Sequence, residues 1–402
     1  MSSPRSSIIS DMLRALAHPA FALTAAALLF LAPVGSAESA HHASAPGSPE
    51  SDSPATPVRA GHVGPFAAAV WWSSLSAATR GTLLRFHPEQ IGALDGLPAD
   101  VRVTANRLVA RERLRELDTI LTAVARREPA PTSTADLEPL LQERAYLARV
   151  VSGAVKLYLF APDRGALVEM TGDPTKATGI LLVVPGTNAS IRSFMVSDPV
   201  TAFADWQVDH ADPSTPVLAF TVLAAPMPQL STDLASGPQN NTIATAAGAG
   251  YARIVEGIDV AFPGLPTLSY EHSAGSQVGS AAEEDGAHFD ARFLAAGVGA
   301  TDGYTTSPDT VYYAAQAEDD INRLYAGFQV GDIGYGVGPE EFPGITIIDP
   351  GLVDEQSSAL GGMLARGLTL HNRLFSGDPS ANGTVLADVR LLLTSLAREA
   401  TG

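Results

Sequence analysis

Two hydrophobic rhythms succeed one another along the chain. From about Pro65 to Leu157 the apolar positions recur at helical spacing. In AAAVWWSSLSAATRGTLLRF, Leu75, Leu83, Leu84 and Phe86 suit helix faces, and Ser74 or Ser76 is placed to cap a helix. Pro88, Gly92, Gly96 and Pro98 punctuate HPEQIGALDGLPADVR as turns. A longer helix is predicted over 99–126, broken by EPAPTSTADLEP, and another from Thr134 or Asp136 to about Ser152. Trp71 and Trp72 read as packing anchors, because amphipathic helices must bury a face. No chemistry is visible in this region, which reads as a helical extension over residues 61–157.

Near residue 153 the rhythm changes to short apolar runs. AVKLYLF, ALVEM, GILLVV (179–184), VLAFTVL (217–223), PTLSY (266–270), ARFLAAG (291–297), TVYYAA (310–315) and ITIID (345–349) are strand candidates. The first two suit a hairpin turning at 162–165. Ala-rich stretches of helical length, notably 242–260 and 274–286, separate several of the others. Buried strands alternating with helices predict an α/β fold over residues 158–402, with a mostly parallel sheet covered on both faces. Chemistry in such sheets gathers at the carboxyl ends of the strands. That filter selects VVPGTNAS, EHSAGS, AEDD and a late loop carrying a histidine.

Composition narrows the partners. The 402 residues are 46% hydrophobic and carry a formal charge of −18, which argues against nucleic acid or anionic membranes as partners. A neutral or cationic small molecule is compatible with that sign. With no cysteine, the chain has no disulfide, thiolate metal site or cysteine nucleophile. Arg5 and Arg14, the apolar stretch 20–31 and the small residues of APVGSAES form a secretory signal over 1–37, with cleavage after Ala37. An uncleaved anchor and an ordinary N-terminal helix are the alternatives, so the expected location is secreted or associated with the cell envelope. Residues 38–60, rich in Ser, Ala and Pro, read as a linker.

Ser273 follows an apolar run and precedes Ala274, Gly275 and Ser276, small residues that let a helix start close to a strand. That is the setting of a nucleophile elbow, although Glu271 stands where the G-x-S-x-G pattern has glycine. A helix cap without catalysis is the competing reading. Among nine histidines, His371 has the expected order and position for the base. His272 adjoins Ser273, where neighbouring side chains diverge. The acid that orients His371 comes from AEDDIN, with Asp319 the first choice, Asp320 the next, and Asp349 the other alternative. Gly186 permits close backbone approach or positive φ, and the Thr187 and Ala274 N–H groups are candidates for an oxyanion hole. Neither a metal nor an organic cofactor is required.

These stretches resemble the actinobacterial α/β-hydrolase family formerly known only as a domain of unknown function. Its V-x-V-P-G-T, G-H-S-Y-G-S, late acid and H-S-x-Y-F correspond here to VVPGT (183–187), EHSAGS (271–276), AEDDI (317–321) and HNRLF (371–375). The helical WWSSLSAATRGTLLRFHPEQIGALDGLPADVRVTANR (71–107) also looks like the segment preceding the hydrolase domain in that family. The resemblance implies an α/β-hydrolase fold, a Ser273–His371–Asp319 triad and hydrolysis of an ester-like small molecule. Glu271, Ala274 and Asp320 depart from the family pattern, so a hydrolase-fold protein that binds without catalysis, or serves the cell envelope, is the alternative.

Overall fold

The computed structural model describes residues 63–126, 137–230, 237–301, 303–324, 327, 329–330, 333–334, 336–352 and 360–401. The expected leader and linker lie outside these residues, as do Thr134 and Asp136.

Five helices open the described chain: α1 (Pro65–Ser74), α2 (Ala77–Phe86), α3 (Pro88–Gly92), α4 (Ala99–Ala125) and α5 (Glu138–Ser152). Ser76, one of the two expected caps, accepts the Thr79 N–H at 3.1 Å and starts α2. Trp72 is buried with Ala68, Leu83, Ile91, Leu94 and Leu97, so it anchors packing as its position suggests. Arg102 lies in the core with its guanidinium carbon 3.9 Å from the Tyr158 ring centroid, and its Nη1 is 3.0 Å from Asp95. Asn106 donates to the carbonyls of Leu157 and Tyr158 at 3.2 and 3.0 Å. Arg102, braced by Asp95, and Asn106 thus fasten the helices to the first strand.

That strand, β1 (Lys156–Ala161), begins just inside the stretch read as helical. It is followed by β2 (Ala166–Thr171), β3 (Gly179–Val184), α6 (Ala202–Asp209), β4 (Val217–Leu223), α7 (Asn241–Ala261), β5 (Thr267–His272), α8 (Gly275–Glu284), β6 (Ala291–Ala295) and β7 (Val311–Ala315). A two-stranded ribbon, β8 (Gln329–Val330) and β9 (Ile333–Gly334), precedes β10 (Thr346–Ile348), α9 (Leu360–Arg373) and α10 (Pro379–Thr401). All eight strand candidates join one sheet in the order β1-β2-β4-β3-β5-β6-β7-β10. β2 runs antiparallel to β1 and β4, and the remaining pairs are parallel.

The period-two alternation of strands decides which residues meet which layer. In β3, Ile180, Leu182 and Val184 pack in one core with residues of α4, α5, α7 and α8. Leu181 and Val183 face the other, with Phe203 of α6 and Val385, Leu386 and Val389 of α10. The strand order, the antiparallel second strand and the turn after β5 make this the α/β-hydrolase fold that the sequence leads one to expect. One expectation is corrected: His371 lies in the last turn of helix α9, not in a loop. Gly361, Gly362 and Gly367 disguise that helix in the sequence, because glycine is a poor helix former. No described helix is long and apolar enough to cross a membrane.

Candidate active site

Ser273 sits on the turn from β5 into α8 with φ of 54°, the left-handed region that a residue with Cβ rarely adopts. Such a backbone costs about 1–2 kcal/mol and persists only where its surroundings hold it. Here the Ser273 N–H donates to Ala295 O at 3.0 Å, and the Ser273 carbonyl accepts from Ser276 N, Ser276 Oγ and Val298 N at 3.1, 2.9 and 3.2 Å. The hydroxyl itself makes no hydrogen bond among the described residues.

Gly186, two residues past the end of β3, presses against this turn. A Cβ there would stand 2.6 Å from Ser273 Cβ and 3.0 Å from His272 O, so close approach, not positive φ, is what requires glycine. The loop after it is held by Asn188, whose N–H donates to Pro228 O and whose Oδ1 accepts the Leu230 N–H, each at 2.8 Å. The N–H groups of Thr187 and Ala274 make no hydrogen bond among the described residues. Ala274 also stands at the positive end of the α8 dipole, where anions are favoured. Gly186→Ala should therefore push the two loops apart. We expect a loss of about 1–3 kcal/mol of stability, read by chemical denaturation; unchanged stability would mean that the contact is slack.

The expected acid needs correction. Asp320, not Asp319, meets His371: both Asp320 oxygens lie 3.2 Å from His371 Nδ1, and its side chain is 0% exposed. Asp319 is 49% exposed and pairs with Arg366 at 2.7 Å. The chain turns sharply here, so consecutive acids point in different directions. Asp320 Oδ1 accepts the Asn322 N–H at 2.8 Å, and Asn322 Nδ2 donates to Ala296 O at 2.8 Å, which fixes the turn beside β6. Asp349 is exposed beyond β10, where it accepts the Gly351 N–H at 2.9 Å. His371 occupies the C-terminal turn of α9. Its Nε2 makes no hydrogen bond among the described residues.

Glu271 lies neither in solvent nor beside Ser273 Oγ. Alternation along β5 sends Ser269 and Glu271 to the α8 face and Tyr270 and His272 to the opposite one. The Glu271 carboxylate, 0% exposed, receives Arg292 Nε and Nη2 at 2.8 and 2.7 Å and Ser269 Oγ at 2.8 Å. Gly279 leaves room for it: a Cβ there would stand 2.2 Å from the carboxyl group. Arg292 Nη1 continues to Glu283 and Tyr304 at 2.7 and 2.8 Å, and Tyr312 and Thr310 also donate to Glu283. Burial alone would lower the Arg292 pKa, but Glu271, Tyr304 and Glu283 together hold it well above its ordinary value. The carboxylate that seemed to threaten the turn is thus neutralised beneath α8, and it supports the turn from below.

The sequence reading missed this network. The signal was Arg292 inside the otherwise apolar ARFLA, because a buried guanidinium demands a carboxylate. Among the described residues, no group of three or more His, Cys, Asp and Glu side chains is placed to hold a metal ion.

Comparison with known proteins gives sparse guidance. No protein family profile matches the chain. It is 28% identical over 222 residues to the uncharacterized proteins MT2140 and Rv2079 of Mycobacterium tuberculosis, a match covering 48% of this chain and 33% of theirs. The chain therefore spans about a third of the length of these relatives. Among solved structures, a carboxylesterase from Mesorhizobium loti matches 60% of this chain and 98% of its own, with 11% identity and a TM-score of 0.34. A lidless α/β serine hydrolase from Xanthomonas campestris matches 58% of this chain and 88% of its own, with 12% identity and a TM-score of 0.30. With similarity this distant, it is the strand order that identifies the α/β-hydrolase fold, and Ser273 lies on the tight turn from β5 into α8.

Proposed function

We propose that the protein is a serine hydrolase of small carboxylic esters. Ser273 acts as nucleophile, His371 as base, and Asp320 as the acid that holds His371 in its working tautomer. The observation that carries this reading is the strained Ser273 turn at the same end of the sheet as the buried Asp320–His371 pair. Fold and structural strain without such a pair would suit a simple helix cap.

In this mechanism His371 Nε2 takes the Ser273 Oγ proton as Oγ bonds to the acyl carbon. The carbonyl π pair moves to oxygen, where the Thr187 and Ala274 N–H groups stabilise the charge. Collapse of the tetrahedral intermediate breaks the bond to the alcohol oxygen, which takes the proton from His371. Water, deprotonated by His371, then repeats the attack on the acyl-enzyme and releases the acid, returning the proton to Ser273. Asp320 orients His371 through Nδ1 and stabilises the imidazolium as it forms.

A fluorophosphonate probe tests the reading. We expect a stable adduct on Ser273, located by mass spectrometry, and none on Ser273→Ala. Folded wild-type protein that neither labels nor turns over p-nitrophenyl esters would sink the proposal, and small-molecule binding retained by that unreactive protein would favour the noncatalytic alternative.

A further inference from the structure

We propose that His272, the residue before the nucleophile, is a positioning residue that holds the backbone of His371 through its Nε2–H and so aims the base at Ser273. This role rests on the hydrolase reading above.

The inward-facing positions of β5 meet the end of α9 on the side of the sheet away from α8. His272 Nε2 lies 3.1 Å from the His371 carbonyl oxygen. Two residues earlier on the same face, the Tyr270 hydroxyl donates to the Leu374 carbonyl. The last carbonyls of a helix have no intrahelical donor. Here the Phe375 N–H, which continuation of the helix would aim at His371 O, bonds instead to Asn372 O at 3.1 Å. The side chain of β5 takes its place.

The acceptor is a carbonyl, so the bond fixes His272 as the tautomer with its proton on Nε2. The ring is wedged between His371 and Phe375, with centroid separations of 4.8 and 4.9 Å. Burial, followed by the neighbouring His371, lowers the His272 pKa from 6.5 to about 3. The ring therefore stays neutral when His371 takes up a proton 4.8 Å away, and does not oppose that charge. His272 is unsuited to be the base itself: its remaining nitrogen, Nδ1, makes no hydrogen bond to Ser273 Oγ, and burial leaves it weakly basic. Nucleophile and base belong to segments 98 residues apart, as the difference between positions 371 and 273 gives. The His272 bond joins them directly, one residue from Ser273 and at the backbone of His371.

Two variants separate the bond from the packing. His272→Phe keeps a ring between His371 and Phe375 but has no donor; His272→Gln supplies an N–H donor without the ring. A small displacement of a catalytic group costs on the order of 10- to 100-fold. We expect His272→Phe to lower kcat and the fluorophosphonate labelling rate together by about that factor, with KM within about twofold. His272→Gln should recover most of the loss. A second measurement needs no turnover: 15N–1H correlation of the wild-type imidazoles should show His272 neutral and protonated on Nε2. Undiminished labelling of His272→Phe beside a wild type that labels would overturn this role alone, as would a Gln variant as impaired as Phe or an Nδ1–H tautomer. Wild-type protein that never labels would overturn the hydrolase reading and this role with it.

Discussion

Asp320→Asn should lower kcat on a p-nitrophenyl ester by about 10⁴-fold, whereas Asp319→Asn should leave it within about threefold. The two residues are adjacent and chemically identical, and the structure separates them. Asp320 is fully buried against His371 Nδ1; Asp319 is half exposed and paired with Arg366. An asparagine at 320 can still accept the Asn322 N–H through Oδ1, so the turn should survive. Its Nδ2 would meet the imidazole with a donor, forcing the His371 proton onto Nε2, where it cannot accept from serine. About four decades correspond to roughly 5.5 kcal/mol of transition-state stabilisation. Thermal unfolding of both variants provides the fold control. Equal losses in the two variants, or a greater loss at 319, would remove Asp320 from the mechanism.

Arg292→Met should destabilise the protein by about 3–5 kcal/mol, because it strands Glu271 and Glu283 in the interior. Methionine has similar length but no donor, so the bidentate contact to Glu271 is lost outright. Glu283 is less exposed to the loss, since Tyr312 and Thr310 still donate to it at 2.9 and 2.8 Å. The stranded charge is therefore mainly that of Glu271. Adding Glu271→Leu to Arg292→Met should recover part of the stability, since an apolar replacement of a whole buried pair is often tolerated. Urea unfolding of the single and double variants distinguishes these cases. A single variant within about 1 kcal/mol of wild type would mean that the network contributes little.

The sheet was legible because its strands are apolar runs of the right length, and all eight lie where those runs fall. The acid was harder. Residues 318–320 carry equal charge, and only the path of the backbone buries one of them. A finer clue existed in Asp320-Ile321-Asn322, since an aspartate that accepts the N–H two residues on fixes its own turn. Helix α9 was hidden by its glycines, and with it the contact between His272 and His371. Glu271 was misleading for a different reason. The motif compares one position with glycine along the chain, whereas the compensating charge lies 21 positions later, as the difference between 292 and 271 gives, on the neighbouring strand.

Asn106 and Arg102, which tie α4 to β1, also bear on how the molecule can be divided. A cut at residue 157 would fall within β1 and strip its first carbonyls of their amide donors. It would also uncover a core that α4 and α5 share with β1, β2 and β4. An outermost strand laid bare in this way is a template for pairing with other chains. The N-terminal helices therefore cover the rim of the sheet, and a chain cut at 157 should lose stability and solubility together.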